Sequence, residues 1–502
     1  MKQKTLWAFV VVFLACVSAN LKAQQTPPGI SYEQRIELAK KFLEPVREIA
    51  VKDQDSPERR SYFTGPMASI DPAWTMKFII DNPVDQDGML YDHSAKTLLA
   101  SRANELDEED LIQLIEKSAH LRYQYVSAAL RSLPKEKEEL RSQLVSIAME
   151  EKEFNYQSIP SLIQIVNLAD NPELSATLQA RINEYYDSGK ATEAVKMLKK
   201  RFAKLESWQK SNMRYAFGQL AASAPDKYRD EFLQNDIVTQ YDVHWYIVLS
   251  DEFPTDLRLA ELNKIKRFDF GKQTYEQMLG AGSLGLLAKI DLERALQWAK
   301  EAPHPAAKVW ANLLIAPILA KTDNAAAVKL IRDCYRELSE MDASDRIPAN
   351  YNFPPSLISC IGLQIVEQVD PDSMEQYIDQ TILLAEKHVG SKSNSAQDQQ
   401  FNAIVGVARY DREKALKMFD AIADDVKIHA AGSFFRALMA LHPEQIWEEF
   451  ETMPEKDSRG IDYRIQVRDQ LMPAMTARTD SAFWAALYGS GFLKIDARIL
   501  EE

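Results

Sequence analysis

The sequence predicts an all-α chain, an irregular α-solenoid of antiparallel helix pairs. Three observations carry this reading. One short phrase recurs at three helix starts, glycine is scarce, and long stretches are dominated by Ala, Leu, Glu, Lys and Gln, which favour helix. The 16 glycines among 502 residues are roughly 3% of the chain, against about 7% on average. Phosphate-cradling loops, tight hairpins and α/β turns consume glycine, so the shortage argues against sheet-based enzymes.

The recurring phrase is Ala68-Ser-Ile-Asp71-Pro-Ala-Trp-Thr-Met-Lys-Phe78, then Ala288-Lys-Ile-Asp291-Leu-Glu-Arg-Ala-Leu-Gln-Trp298, then Ala408-Arg-Tyr-Asp411-Arg-Glu-Lys-Ala-Leu-Lys-Met418. Asp71, Asp291 and Asp411 are placed as N-caps, where a carboxylate accepts from the free N–H groups of the first turn. Pro72 follows Asp71 at the position where a missing N–H costs nothing. The apolar residue before each cap (Ile70, Ile290, Tyr410) can reach the residue five places on (Thr75, Ala295, Ala415), a hydrophobic staple. Capping accounts for these aspartates without invoking a ligand or metal. Looser copies start at Asp370-Pro371 and His442-Pro443.

Spacing fits stacking. Asp370 and Asp411 lie 41 residues apart, and Asp291 and Asp411 lie 120 apart, or three units of about 40, the length of the larger helix-pair repeats. The 220 residues from Asp71 to Asp291 are not a whole number of such units, so the array is expected to be irregular.

Taken in chain order, residues 24–30 form a lead, and Ser31 with Gln34 makes a capping box opening a helix that carries Ile36, Ala39, Leu43 and Val46 on one face. Residues 51–67 read as a polar loop, and 81–93 as a turn-rich stretch. Helices from Asp107 to about Leu205 break near Pro134, Pro160, Pro172 and Gly189. The period is ambiguous over 236–275, and a boundary is placed at 255, dividing a helical-repeat region 24–255 from a second, 256–502. Helices are expected over 324–341 and 355–367, with a polar linker at 389–400.

The N-terminus reads as an export signal. Lys2 and Lys4 precede an apolar run from Leu6 to Val17, and Leu21-Lys22-Ala23 is a small-residue cleavage site before Gln24. Residues 1–23 are therefore expected to be removed on export to the periplasm or beyond. Acylation at Cys16 is the rival reading, which Phe13 and the short lead before Cys16 fit poorly. Cleavage would remove three lysines and no acid, taking the net charge from −14 to −17. An acidic surface disfavours nucleic acid and anionic lipid. The basic run Lys196, Lys199, Lys200, Arg201 and Lys204 reads as a solvated helix face. After residue 23 no apolar run approaches 18 residues, so no transmembrane segment is expected in the mature chain. Cys334 and Cys360 fall at similar levels of adjacent helices; an exported protein permits a bridge between them, and two buried thiols fit as well.

The search for chemistry returns motifs without their contexts. Gly280-Ala-Gly282-Ser-Leu-Gly285 matches a dinucleotide pattern and resembles a nucleophile elbow, but both need a preceding strand and the residues before it read as helix. Asp85-Gln-Asp87-Gly88 is calcium-like, yet Pro83 and Ser94 would fall at ligand positions. The seven histidines are scattered and show no zinc spacing. No catalytic, cofactor or metal residue is assigned. The candidate ligand surface is aromatic: Tyr241, His244 and Trp245 share a helix face with Val248, a pattern equally typical of core.

The copies at 68–78, 288–298 and 408–418, supported by 369–378, resemble degenerate tetratricopeptide-like or HEAT-like α-solenoids of exported bacterial type, over about residues 66–450. The resemblance implies binding of a protein or peptide partner through a curved surface, and carries over no catalytic residue. The expected function is thus an exported scaffold or adaptor. The alternative is a secreted α/α-toroid enzyme acting on polysaccharide, since toroids also pack helix pairs.

Overall fold

The computed structural model describes residues 30–52, 57–81, 89–118, 121–150, 158–169, 171–202, 240–250, 255–271, 274–341, 355–389, 394–422, 431–452 and 463–488, with positions 224, 228 and 253. The leader at 1–23, Cys16, the Asp85–Gly88 turn, Lys204 and the 342–354 connection lie outside the described residues. Among the described residues the protein is all-α, with 24 α-helices and no strand. None of these helices is long and apolar enough to cross a membrane.

The chain divides into two compact units. The middle unit comprises 42–269 and 286–294, and the terminal unit 1–41, 270–285 and 295–502. Helix α1 (Tyr32–Lys52) opens the described chain. The middle unit holds α2 (Pro57–Ile70), α3 (Pro72–Asp81), α4 (Met89–Arg102), α5 (Glu108–Lys117), α6 (Arg122–Ser132), α7 (Glu138–Glu150), α8 (Ile159–Leu168), α9 (Pro172–Asp187), α10 (Lys190–Phe202), α11 (Gln240–Leu249) and α12 (Thr255–Leu262). Helices α13 (Thr274–Ala288) and α14 (Leu292–Lys300) follow. The terminal unit continues with α15 (Pro305–Ala320), α16 (Asn324–Glu340), α17 (Pro355–Val369), α18 (Met374–Val389), α19 (Asn394–Ala408), α20 (Arg412–Asp420), α21 (Ala431–Leu441), α22 (Ile446–Thr452), α23 (Tyr463–Met475) and α24 (Asp480–Leu487).

Packing skips one helix. In the middle unit α2 packs on α4, α4 on α6 and α6 on α8, while α3 packs on α5 and α5 on α7. In the terminal unit α15, α17, α19, α21 and α23 pack successively, and α16 packs on α18. The helices of the longer rows are covered on most sides and are correspondingly apolar. All eleven residues of α21 are buried, as are twelve of the sixteen in α15. Glycine appears where two row helices approach closely: a Cβ on Gly406 of α19 would lie 2.6 Å from the Cβ of Cys360 on α17.

The three repeated aspartates cap as their position requires. Asp71 Oδ1 accepts from Trp74 N at 3.0 Å, Asp291 Oδ1 from Arg294 N at 2.9 Å, and Asp411 Oδ1 from Lys414 N at 3.0 Å. Thr75, Ala295 and Ala415 are all fully buried. Ser31 and Gln34 form the reciprocal capping box, at 2.7 and 3.2 Å. Asp107, Asn171, Asp323 and Thr479 add further side-chain caps, and so does His304, whose Nδ1 accepts from Ala306 N. Asp370 and His442 do not cap by side chain. Both precede a Pro-led 3₁₀ turn (Pro371–Ser373, Pro443–Gln445), so the chain enters α18 and α22 through that turn.

Helix C-termini are held by basic side chains from other helices, which satisfies carbonyls that lack an intrahelical partner. Arg141 on α7 donates to Leu130 O, Leu133 O and Leu168 O at 2.7–2.9 Å, closing the ends of α6 and α8. Arg181 reaches Met149 O, Arg258 reaches Val248 O, Arg412 reaches Leu441 O and Arg436 reaches Leu487 O.

Several boundaries differ from the sequence reading. Residues 57–67, expected as loop, belong to α2, which carries Pro66 inside it. Helix α4 starts at Met89, within the stretch read as turns, and α19 starts at Asn394, within the expected linker. The 236–275 stretch contains α11 and α12. The breaks at Pro134, Pro160, Pro172 and Gly189 occur, the last with Gly189 at φ +78°, a conformation that favours glycine. On α10, Lys196 is exposed and pairs with exposed Glu193.

Candidate functional site

Helix α11 carries the aromatic face singled out from the sequence. His244, Trp245 and Val248 lie on it, and Tyr241 belongs to the same helix, although its side chain is outside the described residues. Val248 is fully buried, whereas His244 and Trp245 are partly exposed. The Trp245 ring meets Phe268 edge-on with centroids 5.0 Å apart, so its packed side belongs to the core of the middle unit.

His244 is fixed by a buried carboxylate. Its Nδ1 lies 2.5 Å from Glu261 Oε2, and Lys264 Nζ donates to Glu261 Oε1 at 2.5 Å. Burial pushes the Glu261 carboxyl up, but the hydrogen bonds and charges of Lys264 and His244 outweigh it and hold Glu261 below its ordinary value. With a neutral imidazole, Nδ1–H donates to Glu261 and Nε2 presents a lone pair. The support continues outward. Arg294 on α14 donates to Leu262 O and Asn263 Oδ1, both at 3.0 Å, immediately after Glu261. Arg294 Nε also pairs with Asp291 Oδ2 at 3.2 Å, which ties the second copy of the repeated phrase to the end of α12. The arrangement offers one oriented hydrogen-bonding nitrogen beside an apolar indole, suited to stacking and polar contact with a peptide or a sugar.

Other motifs resolve as packing. Gly280, Gly282 and Gly285 lie inside α13, no strand precedes them among the described residues, and a Cβ on Gly282 would sit 3.7 Å from Trp310 Nε1. At the end of the three copies, Phe78 stacks on Trp74 at 5.0 Å, Trp298 is buried, and Met418 packs against Cys360, Ala385 and Ala403. Cys334 and Cys360 are free, buried thiols with different neighbours. Cys334 Sγ faces Val309 O on α15 at 3.8 Å, and Cys360 faces Gly406 on α19.

Two polar clusters in the terminal unit have no signal in the sequence. Glu367 Oε2 accepts from Arg409 Nη2 at 2.7 Å and from Tyr410 Oη at 3.1 Å, and burial pushes the Tyr410 and Tyr488 hydroxyls up beside them. Tyr335 Oη donates to Ser359 O at 2.8 Å, and Ser359 Oγ meets Thr381 Oγ1 at 2.5 Å, a buried polar seam joining α16, α17 and α18. In each cluster the partners come from elements more than 20 residues apart in sequence, so no local pattern marks them.

Fold and site together define an all-α protein of packed helix pairs with a half-buried aromatic and histidine face. Comparison with protein-family models, with curated proteins and with solved structures returns no match.

Proposed function

We propose that the protein is an exported α-solenoid scaffold or adaptor, tetratricopeptide-like or HEAT-like in build, that binds a protein or peptide partner through its helical surface. The observation that carries this reading is the skipped packing of α2, α4, α6 and α8 in the middle unit and of α15, α17, α19, α21 and α23 in the terminal unit. Successive helix pairs that bury their faces against neighbours are the building principle of solenoids. The face of α11 bearing Tyr241, His244 and Trp245 is the proposed contact surface. The leader-like pattern at residues 1–23 supports export to the periplasm or beyond.

The test uses mature protein as bait against its own envelope fraction, with Trp245→Ala matched for circular dichroism and melting temperature. The reading expects a partner retained by the wild type and lost by the variant. Equal capture by both would remove this face from the function.

One observation favours a second reading, an α/α-toroid enzyme acting on polysaccharide. A histidine oriented through Nδ1 by a buried carboxylate is arranged as a general base would be. Release of reducing ends from polysaccharide by the wild type, abolished by His244→Ala, would establish it.

A further inference from the structure

We infer that the start of α1 is a strap that completes the terminal unit, so that this unit closes only when residues 31–41 and 446–488 are both present. The strap is defined by its own sequence. The Ser31–Gln34 capping box fixes where the helix begins, and residues up to Lys41 belong to the same compact unit as α22, α23 and α24. Arg35, one turn in, is 3% exposed and donates from Nη1 to Ala474 O at 3.0 Å, across 439 residues of chain. Ala474 lies in the last turn of α23, so Arg35 performs the same carbonyl-closing task as Arg141 and Arg436, but from the opposite end of the sequence.

Two further contacts spread the strap over neighbouring helices. The Arg35 guanidinium lies 4.8 Å from the ring centroid of Phe483 on α24, a fully buried residue. Lys41 Nζ lies 5.7 Å from the Trp447 ring on α22. Each is a cation over an aromatic face, favourable most of all where the cation is desolvated. Burial draws the Arg35 guanidinium below its usual range, and the nearby Asp480 carboxylate opposes that shift. Ala39, one turn after Arg35, is fully buried. A helix at the edge of a helical stack needs a further neighbour to bury its outer face; here α1 supplies contacts to α22, α23 and α24. In a chain exported N-terminus first, the strap emerges early and waits for residues 463–488.

Hydrogen–deuterium exchange on the full-length mature chain tests this, comparing wild type, Arg35→Met and Lys41→Ala. Arg35→Met keeps the apolar stem and removes the donor. Amides of 463–488 should then exchange at least about tenfold faster, the change expected for loss of a charge-assisted hydrogen bond, while amides of 122–150 in the middle unit keep their rates. Where Arg35→Met does not fold, Lys41→Ala carries the test. It should speed exchange in 446–452 by about two- to fivefold, the contribution of an exposed cation–aromatic pair, again with 122–150 unchanged. Unchanged rates at 446–488, or equal acceleration in every helix, would overturn the strap.

Discussion

Arg294 Nη1 donates to the carbonyl oxygen of Leu262 at 3.0 Å, joining the first turn of α14 to the last residue of α12. The same arginine pairs with its own cap, Asp291. One copy of the repeated phrase therefore does two jobs: its aspartate starts a helix and its basic residue ends another. In the third copy, Lys414 pairs with Asp411 at 3.5 Å and with Asp379 on α18 at 2.8 Å, while Arg412 closes α21 at Leu441 O. The physical logic is the helix dipole together with the unpaired end groups: carboxylates suit the N-terminus, and guanidinium or ammonium groups suit the C-terminus.

Arg141 is the most heavily used of these closures, and its loss should be felt accordingly. Arg141→Met leaves three carbonyls of α6 and α8 without their donor. A charge-assisted hydrogen bond contributes about 1.5–3 kcal/mol, so urea unfolding should show a loss of about 3 kcal/mol or more. Arg141→Lys should recover only part of it, since one ammonium cannot reproduce the spread of the guanidinium fork.

Glu261 sets a pH dependence of definite sign. Its folded value is held below the ordinary 4.5 by Lys264 and His244 against burial. A depressed carboxyl contributes stability that is fully present above the unfolded value and is lost as pH falls through the folded one. Unfolding free energy of the wild type should therefore fall more steeply below about pH 4.5 than that of Glu261→Gln. Parallel urea titrations of the two proteins between neutral and acidic pH measure the difference; superposable slopes would show that Glu261 is not so held.

Gly406→Ala should destabilise through overpacking. The added Cβ would sit 2.6 Å from Cys360 Cβ, closer than packed side chains approach. The expected loss is about 1–3 kcal/mol. The nearest obstruction is Cys360 Cβ, with its sulfur at 3.1 Å and its Cα at 3.3 Å, so Cys360→Ala, which removes only the sulfur, should rescue the variant in part and not in full in a thermal melt.

Cys334 and Cys360 should titrate as thiols only after unfolding. Cys334 and Cys360 are free and buried, and burial pushes the Cys360 thiol up to about 12 and raises that of Cys334 as well. A thiolate is the reactive form, so Ellman's reagent should detect neither in folded protein at pH 8 and both in denaturant without reductant. Two thiols still missing in denaturant would show a bridge between them.

What the sequence disclosed was local. A cap and its acceptor sit three residues apart, so Asp71, Asp291, Asp411 and the Ser31–Gln34 box are legible from spacing alone. So was the helical nature of Gly280–Gly285, from the residues before it. Helix α2 was hidden because Pro66 and a polar start mimic a loop, and α19 because it begins Asn-Ser-Ala-Gln-Asp-Gln-Gln. His244 was found on its aromatic face, but its partner Glu261 lies 17 residues on, in another helix, where no periodicity links the two. The arginine closures span 8 residues for Arg141 to Leu133 and 439 for Arg35 to Ala474, distances with no local signature.

Asp71, Asp291 and Asp411 accept the hydrogen bonds that start their helices. Thermal melts of Asp291→Ala and Asp411→Ala measure that capping role. Each should lose about 0.5–2 kcal/mol, the range for a lost N-cap, and each should keep partner binding while folded. A variant that kept its melting temperature but lost function would contradict the account and make its aspartate a site residue.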